Sequence, residues 1–485
     1  VGIKEALQNL GKLDGLIEPM LRAARIPGGA VAIVAEGKTV FAKGYGYRDL
    51  KAKLPATADT VYPIASTTKA FNATLVGMLV DEGKLAWDVP VQNYLPGFRL
   101  QDPVSSAQIT LRDLLAMRTG LPRHDWLWIE HPITRSELAE RLRHLELSAG
   151  FREKFQYNNM TSTTAGHIAE VVTGQSWENL IRERILEPLG MSDTGFTLPT
   201  KGHVTLSYHE NSRREVLPST RLDADVTAPS GGSVHSTVED MARWLSFNMN
   251  SGKVGDRQLI QAQTLAEIQS PQMVARTDPA CPTPHAAYAM GWFVDTYNGH
   301  TRIAHGGYVH DVNSEVMFFP KDGIGIVCFT NFGFPVLARV LNEHVFDLLM
   351  GHTPVTSLEE KLGQYEKKLE ENRQRLAEVR RVEDTSPSHA LQDYAGIYEH
   401  PGYGKIEIQH RGEDLIYKRN NLVLPLEHWH YDAWVAQDPE PFFLHVPHAF
   451  DRSSRLQFET SPDGAIAALS IRLETNAAPI RFEKQ

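Results

Sequence analysis

From Val61 the chain reads Val-Tyr-Pro-Ile-Ala-Ser66-Thr-Thr-Lys69-Ala-Phe-Asn72 and runs on through Ala73 to Glu82, with Phe71, Leu75, Met78 and Leu79 at helical spacing. A helix with such a face is organised around its buried side, and it carries Lys69 one turn beyond Ser66 on the same flank. A serine hydroxyl is a weak nucleophile near neutral pH and needs a base beside it. Lys69 meets that need only where burial and nearby positive charge drive off its proton. Ile64, Ala65 and Phe71 supply apolar surroundings of that kind, and the Ser66 N–H at the first turn is offered to a developing oxyanion. The plainer reading is a Ser helix cap followed by a surface Lys. Ser66 is, however, the only serine in the chain with Lys three residues on.

Before this stretch lies an amphipathic helical pattern from Val1 to Met20 (Leu7, Leu10, Leu13, Leu16, Ile17). Two apolar strands follow, Ala30 to Ala35 and Thr39 to Gly44, joined by Glu36-Gly37-Lys38 as a hairpin. Gly83 reads as a left-handed cap on the Ser66 helix. Ile109 to Pro122 reads as a short helix with a Thr cap and a Gly-Leu-Pro stop.

Two further constellations carry chemistry. Phe155-Gln-Tyr157-Asn158-Asn159 precedes a helix expected from Thr161 to Thr173, and Tyr157-x-Asn159 is the only Tyr-x-Asn in the chain. A phenol beside cations can relay protons, and an amide can hold a substrate amide by donor and acceptor together; a core Tyr and a helix-capping Asn is the bland alternative. Thr301-Arg-Ile-Ala-His305-Gly306-Gly307-Tyr308 lies between the apolar segments Met290 to Asp295 and Ser314 to Phe319, as a strand whose glycines let its backbone approach a ligand. His305 there could donate to a carboxylate or assist proton transfer, against the commoner reading of a turn or core histidine.

The order of Ser66-x-x-Lys69, Tyr157-x-Asn159 and His305-x-Gly307 resembles the serine β-lactamase and penicillin-binding-protein superfamily. The segments Asp81-Glu-Gly-Lys-Leu-Ala-Trp-Asp-Val-Pro, Arg118-Thr-Gly-Leu-Pro, Pro188-Leu-Gly-Met191 and Pro229 to Asp240 are similar to its class C and esterase branch, over roughly residues 10 to 350. The resemblance implies an α+β fold: an antiparallel sheet flanked by helices, with a helical subdomain and the site between them. It implies that Ser66 is acylated, that Lys69 and Tyr157 share the base and acid roles, and that Asn159 holds the substrate amide. His305-Gly306-Gly307 would stand where the family often has Lys-Thr-Gly, and the N–H groups of Ser66 and Tyr308 would form the oxyanion hole. His305 in place of Lys removes a permanent cation for a β-lactam or peptide carboxylate. Lys321-Asp-Gly323 competes for that place but reads as a hairpin turn.

Beyond residue 350 the composition changes. Leu358 to Arg381 is strongly charged, with Leu358, Leu362, Tyr365, Leu369, Leu376 and Val379 along one face; docking on its own protein is preferred over pairing with a second subunit. After Asp384-Thr-Ser-Pro-Ser388, short strands are expected at 404–409, 414–417, 422–426, 433–436, 442–446, 455–459, 466–471 and 480–482, an up-and-down barrel. This part resembles the lipocalin-like domain on some members of the same hydrolase group, and a structural or gating role is expected for it. The expected division is 1–350, a charged helical linker at 351–388, and a barrel at 389–485.

A net charge of −10 and pI ≈ 6.1 argue against nucleic acid or anionic membrane as partner. No apolar run is long enough to span a bilayer. Two cysteines, Cys281 and Cys328, make no disulfide framework, although one bridge stays open. A cytoplasmic location is favoured, with a processed leader as the alternative. His428, His430, His445 and His448 have no acid or Cys at ligand spacing, so no metal or other cofactor is expected. The expected activity is a peptidase or amidase on short peptides or amino-acid amides, D-residues included. An esterase or weak β-lactamase is the alternative, and a non-catalytic binding or assembly protein on the same fold is the alternative of another class; the partners expected are a small peptide, amide or ester substrate and a second copy of the chain through the 358–381 helix or the barrel.

Overall fold

Helix α1 (Leu13–Ala23) leads into β1 (Gly28–Ala35), whose residues alternate between two cores: Ala30, Ala32 and Val34 face one, Val31 and Ile33 the other. The strand is apolar throughout because helices cover both sides. Glu36 and Gly37, with φ of 47° and 72°, make the two-residue turn into β2 (Lys38–Asp49), and β3 (Leu54–Pro55) pairs with its far end. Three helices follow among others: α2 (Lys69–Asp81), α3 (Asn159–Thr173) and α4 (Val238–Met249). The chain then lays down β4 (Met273–Thr277), β5 (His285–Tyr288), β6 (Phe293–Tyr297), β7 (His300–Val309), β8 (Val312–Phe319) and β9 (Ile324–Thr330). They join the first hairpin in one nine-stranded antiparallel sheet of order β4-β5-β6-β7-β8-β9-β1-β2-β3. Helix α4 packs on the β1–β9 face and α5 (Leu337–Met350) on the opposite one beside α1.

The structure is a computed structural model that describes residues 2–129, 131–199, 202–211, 214–219, 225–232, 234–277, 283–333, 336–377, 380–436 and 455–485. The N-terminal pattern is broken rather than continuous: Ile3–Gln8 is helical, Leu10–Lys12 is a 3-10 turn, and only then does α1 begin. Asn9 and Gly11, poor helix formers, sit at the break. Helix α6 (Leu358–Ala377) lays Leu358, Leu362 and Tyr365 against the second core, the docking expected of its stripe; Val379 and the Leu376 side chain lie outside the described residues. No helix among the described residues is long and apolar enough to cross a membrane.

Eight strands close into a barrel: β10 (Gly396–His400), β11 (Gly404–Arg411), β12 (Asp414–Arg419), β13 (Leu422–His430), β14 (Ala433–Ala436), β15 (Arg455–Thr460), β16 (Ile466–Ile471) and β17 (Ile480–Lys484). Neighbours in sequence are neighbours in space, and β10 closes the ring on β17. The strand β10 is not among those read from sequence, and the one expected at 442–446 lies outside the described residues. Tyr398, Ile406, Leu415, Tyr417, Phe458 and Phe482 are buried in its interior.

Candidate active site

The backbone from Ile64 to Lys69 is pinned on either side of Ser66 by three glycines that could not be anything larger. A Cβ on Gly307 of β7 would lie 2.4 Å from the Ile64 carbonyl oxygen, one on Gly231 1.9 Å from that of Ala65, and one on Gly291 2.6 Å from that of Lys69. Ser314 on β8 adds a 2.6 Å hydrogen bond to the Ile64 oxygen. Ala65, so gripped, adopts φ 47°, a left-handed conformation uncommon for alanine. Ser66 follows it in a 3-10 turn, Ala65–Thr68, and stays partly exposed while its neighbours are buried.

Lys69, at the start of α2, is 1% exposed. Its Nζ lies 3.0 Å from Ser66 Oγ, 2.8 Å from Asn159 Oδ1 and 2.8 Å from the Ser230 carbonyl oxygen. Burial, with the Arg123 guanidinium adding to it, holds its pKa well below the ordinary lysine value. The two carbonyl oxygens can only accept, so each takes one Lys69 N–H, and the third position on the nitrogen faces Ser66 Oγ, an N–H donor while the amine is charged and a lone pair for the Ser66 hydroxyl once its proton has left. Asn159 is free to serve Lys69 because Asn158, not Asn159, caps α3, its side chain accepting from the Thr161 N–H at 2.9 Å.

Burial raises the Tyr157 pKa, with Ser66 and the Arg123 guanidinium acting in the opposite sense, so the phenol is a proton donor at neutral pH. Lys69 Nζ is 4.8 Å from the centre of the Tyr157 ring and the Arg123 guanidinium 5.0 Å from it. Arg123 and Asp125 were not singled out from sequence, though Arg123-His124-Asp125 directly after Thr-Gly-Leu-Pro was a visible signal. Asp125 accepts from Arg123 Nε at 2.6 Å, from Asn159 Nδ2 at 2.9 Å and from Trp128 Nε1 at 3.0 Å, which turns the Asn159 oxygen toward Lys69.

On β7 both ring nitrogens of His305 have partners within the protein. Its Nδ1 lies 2.6 Å from the Gly306 carbonyl oxygen, which can only accept, so Nδ1 carries the proton and Nε2 accepts from the Tyr288 hydroxyl at 3.1 Å. Burial, with Lys69 nearby, pushes its pKa down to about 3. His305 is therefore neutral, with no free N–H for a carboxylate, and packs among Tyr157, Tyr288 and Phe293. Among the described residues β6 pairs with β7 only as far as Ala304, so past it the β7 edge carrying Gly306, Gly307 and Tyr308 runs beside the Ser66 turn without a neighbouring strand. Gly306 backs onto the Glu315 carboxylate, and the Tyr308 hydroxyl donates to Asp311 at 2.5 Å.

No group of three His, Cys, Asp or Glu among the described residues could hold a metal ion; His445 and His448 lie outside them, as does Cys281, while Cys328 is a buried free thiol.

A family model described as Beta-lactamase matches residues 13–350, and one described as a domain of unknown function (DUF3471) matches residues 380–484, with no lipocalin description attached. Protein flp of Staphylococcus aureus (strain COL) is 30% identical over 365 residues, covering 73% of this chain and 69% of that protein. Unguisins hydrolase ungD' of Aspergillus campestris is 27% identical over 419 residues, 81% of this chain and 76% of that protein. The octameric penicillin-binding protein homologue from Pyrococcus abyssi aligns with a TM-score of 0.64 at 22% identity, over 98% of this chain and 100% of that one, a likeness of fold.

Proposed function

The chain belongs to the Beta-lactamase family, and on that premise we propose that it is a serine hydrolase that forms an acyl-enzyme on Ser66 and acts as a peptidase or amidase on short peptides or amino-acid amides, D-residues included. One observation carries the reading: a buried Lys69 whose two N–H groups are taken by carbonyl oxygens and whose third direction faces Ser66 Oγ at 3.0 Å. In the proposed sequence Lys69 takes the Ser66 proton as Oγ attacks the carbonyl carbon. Tyr157 gives its phenolic proton to the nitrogen as the C–N bond breaks and recovers one from Lys69, so the Ser66 proton departs with the amine; water then attacks the Ser66 ester through the same groups, releasing the acid and returning a proton to Oγ. The Ser66 and Tyr308 N–H groups receive the oxyanion, and the open β7 edge lies alongside the acyl chain.

The neutral His305 argues against efficient turnover of β-lactams, whose carboxylate would meet no cation on β7. It is assigned a positioning part, packing against Tyr157. The hydrolytic name of the fungal relative favours an enzyme over a non-catalytic binding protein on the same fold. The test is turnover on D- and L-amino-acid nitroanilides, a short-chain nitrophenyl ester and a chromogenic cephalosporin, each with a Ser66→Ala control. Ser66-dependent anilide cleavage is expected. Cleavage of the ester alone would make the protein an esterase, and no turnover with no adduct on Ser66 would overturn the reading.

A further inference from the structure

The segment from Arg123 to Trp126 has two sides. Arg123 and Asp125 are partly exposed and turned to the Ser66 site, where Arg123 lies against the Tyr157 ring and Asp125 holds the Asn159 amide. His124 and Trp126 are 0% and 2% exposed, and the His124 ring and the Trp126 carbonyl meet the barrel. His124 adopts φ 47° and ψ 34°, a left-handed conformation that a non-glycine residue keeps only when its surroundings hold it.

The barrel supplies most of that hold. Glu474 Oε2 accepts from the His124 backbone N–H at 2.8 Å, and the Tyr403 hydroxyl lies 2.7 Å from His124 Nδ1. His124 Nε2 lies 2.9 Å from the Glu146 carbonyl oxygen, which only accepts, so Nε2 carries the proton and Tyr403 donates to Nδ1. Arg419, buried at the end of β12, donates to the carbonyl oxygens of Trp126 and Tyr403, and Asn420 Nδ2 donates to that of Ile129 at 3.2 Å. Glu146 in turn accepts from the Ala478 N–H at 2.9 Å. Four of the bonds from the barrel reach His124, Trp126 and Ile129, within seven residues that abut the catalytic pair, while Arg141 and Glu146 carry further contacts beside them.

We infer that the barrel is a working part of the active site: Tyr403 and Glu474 are positioning residues that fix His124 and so set Arg123 against Tyr157 and Asp125 against Asn159. The kinetic consequence rests on the serine-hydrolase reading. If His124 is released, Asp125 leaves Asn159, and the Asn159 oxygen loses the orientation that occupies one Lys69 N–H. The titratable and charged groups facing Lys69 are Arg123, Asp125, Tyr157 and His305. The last two are uncharged at neutral pH, so a change in Lys69 titration reports on the Arg123–Asp125 pair, of which Arg123 has the larger effect. Its retreat leaves the Lys69 proton more tightly held.

The experiment uses the full chain and compares Tyr403→Phe and Glu474→Gln with wild type, with Ser66→Ala, and with Tyr398→Phe, which removes a hydroxyl bonded at 2.7 Å to the Tyr394 carbonyl oxygen within the barrel itself. Two quantities are read: the rate of Ser66 labelling by a fluorophosphonate across pH, by intact mass, and backbone deuterium exchange at 123–129 and 157–161. Both interface variants are expected to label at least about fivefold more slowly near neutral pH. Their acid limb should move up by about half a pH unit or more, with faster exchange at 157–161, while Tyr398→Phe behaves as wild type. Folded interface variants with the wild-type rate and pH profile would overturn the inference, as would equal slowing by Tyr398→Phe. A wild-type protein whose Ser66 does not label would remove the hydrolase reading, and exchange at 157–161 alone would then decide whether the barrel positions the site.

Discussion

Replacing Gly307 by Ala places a methyl group where the Ile64 carbonyl oxygen and Ser314 Oγ would each lie 2.4 Å away and Ala65 Cβ 3.0 Å away. Ordinary contact between such atoms begins near 3.4 Å, so the strand and the loop must part by about 1 Å. Ser314 can swing aside only by giving up its 2.6 Å bond to the Ile64 oxygen. That oxygen is backbone two residues before Ser66, and it cannot retreat without carrying the Ser66 N–H with it. The strain therefore falls on the separation between the Ser66 turn and β7, which sets where an oxyanion would be held. Losing one donor of that kind costs roughly 100- to 1000-fold in kcat, or about 3–4 kcal/mol of transition-state stabilisation. Overpacking a tight site costs about 1–3 kcal/mol of folding stability, too little to unfold a domain of this size outright. The assay is steady-state turnover on the best anilide or ester, with denaturant unfolding in parallel. A large fall in kcat, little change in KM and a modest loss of stability are expected. A variant that folds and keeps kcat within about threefold of wild type would refute the steric argument.

Because burial lowers the Lys69 pKa, kcat/KM should rise with pH as its proton leaves and level off below the ordinary lysine range; Asp125→Asn, which removes a carboxylate that favours the charged amine, should move that limb down by about half a unit or more, and a limb that stays put would count against Lys69 as the base. Arg302 is fully buried and bonded to both oxygens of Asp295 at 2.8 Å and to Glu343 at 2.6 Å, so Arg302→Met, which leaves the two carboxylates with the partly exposed Arg339 as their remaining bonded cation, should cost about 3 kcal/mol in denaturant unfolding, and a loss under about 1 kcal/mol would contradict this. Burial raises the Glu315 pKa from 4.5 to about 7. The folded state then keeps a proton that the unfolded state has released, so stability falls as pH rises through that interval, by roughly 3 kcal/mol in all. Glu315→Gln should flatten this slope in unfolding measured near pH 5 and pH 8; an unchanged slope would show that another group titrates there.

Much of the local architecture was legible in the residues themselves. The three-residue step from Ser66 to Lys69 brings their side chains together because one turn of helix does so wherever the helix lies, and the Glu36-Gly37 turn and the left-handed cap at Gly83, with φ 71°, follow from what those residues tolerate in their own backbones. Strand spacing in the last hundred residues marked most of the barrel for the same reason. Other features needed the tertiary structure. That Asn159 serves Lys69 while Asn158 caps the helix depends on which amide meets a residue ninety positions away. The tautomer of His305 is set by Tyr288 and the Gly306 carbonyl, and burial beside Lys69 lowers its pKa, none of which its own neighbours in sequence show. Strand β10 pairs locally with β11, but its closing of the ring depends on β17, and the His124 backbone N–H is bonded to a glutamate 350 positions further on. Periodicity and turn chemistry act between near neighbours, so the sequence alone determined the helical turn that sets Lys69 beside Ser66; burial and charge act across whatever the fold brings together, so only the folded chain decided which groups would tune them.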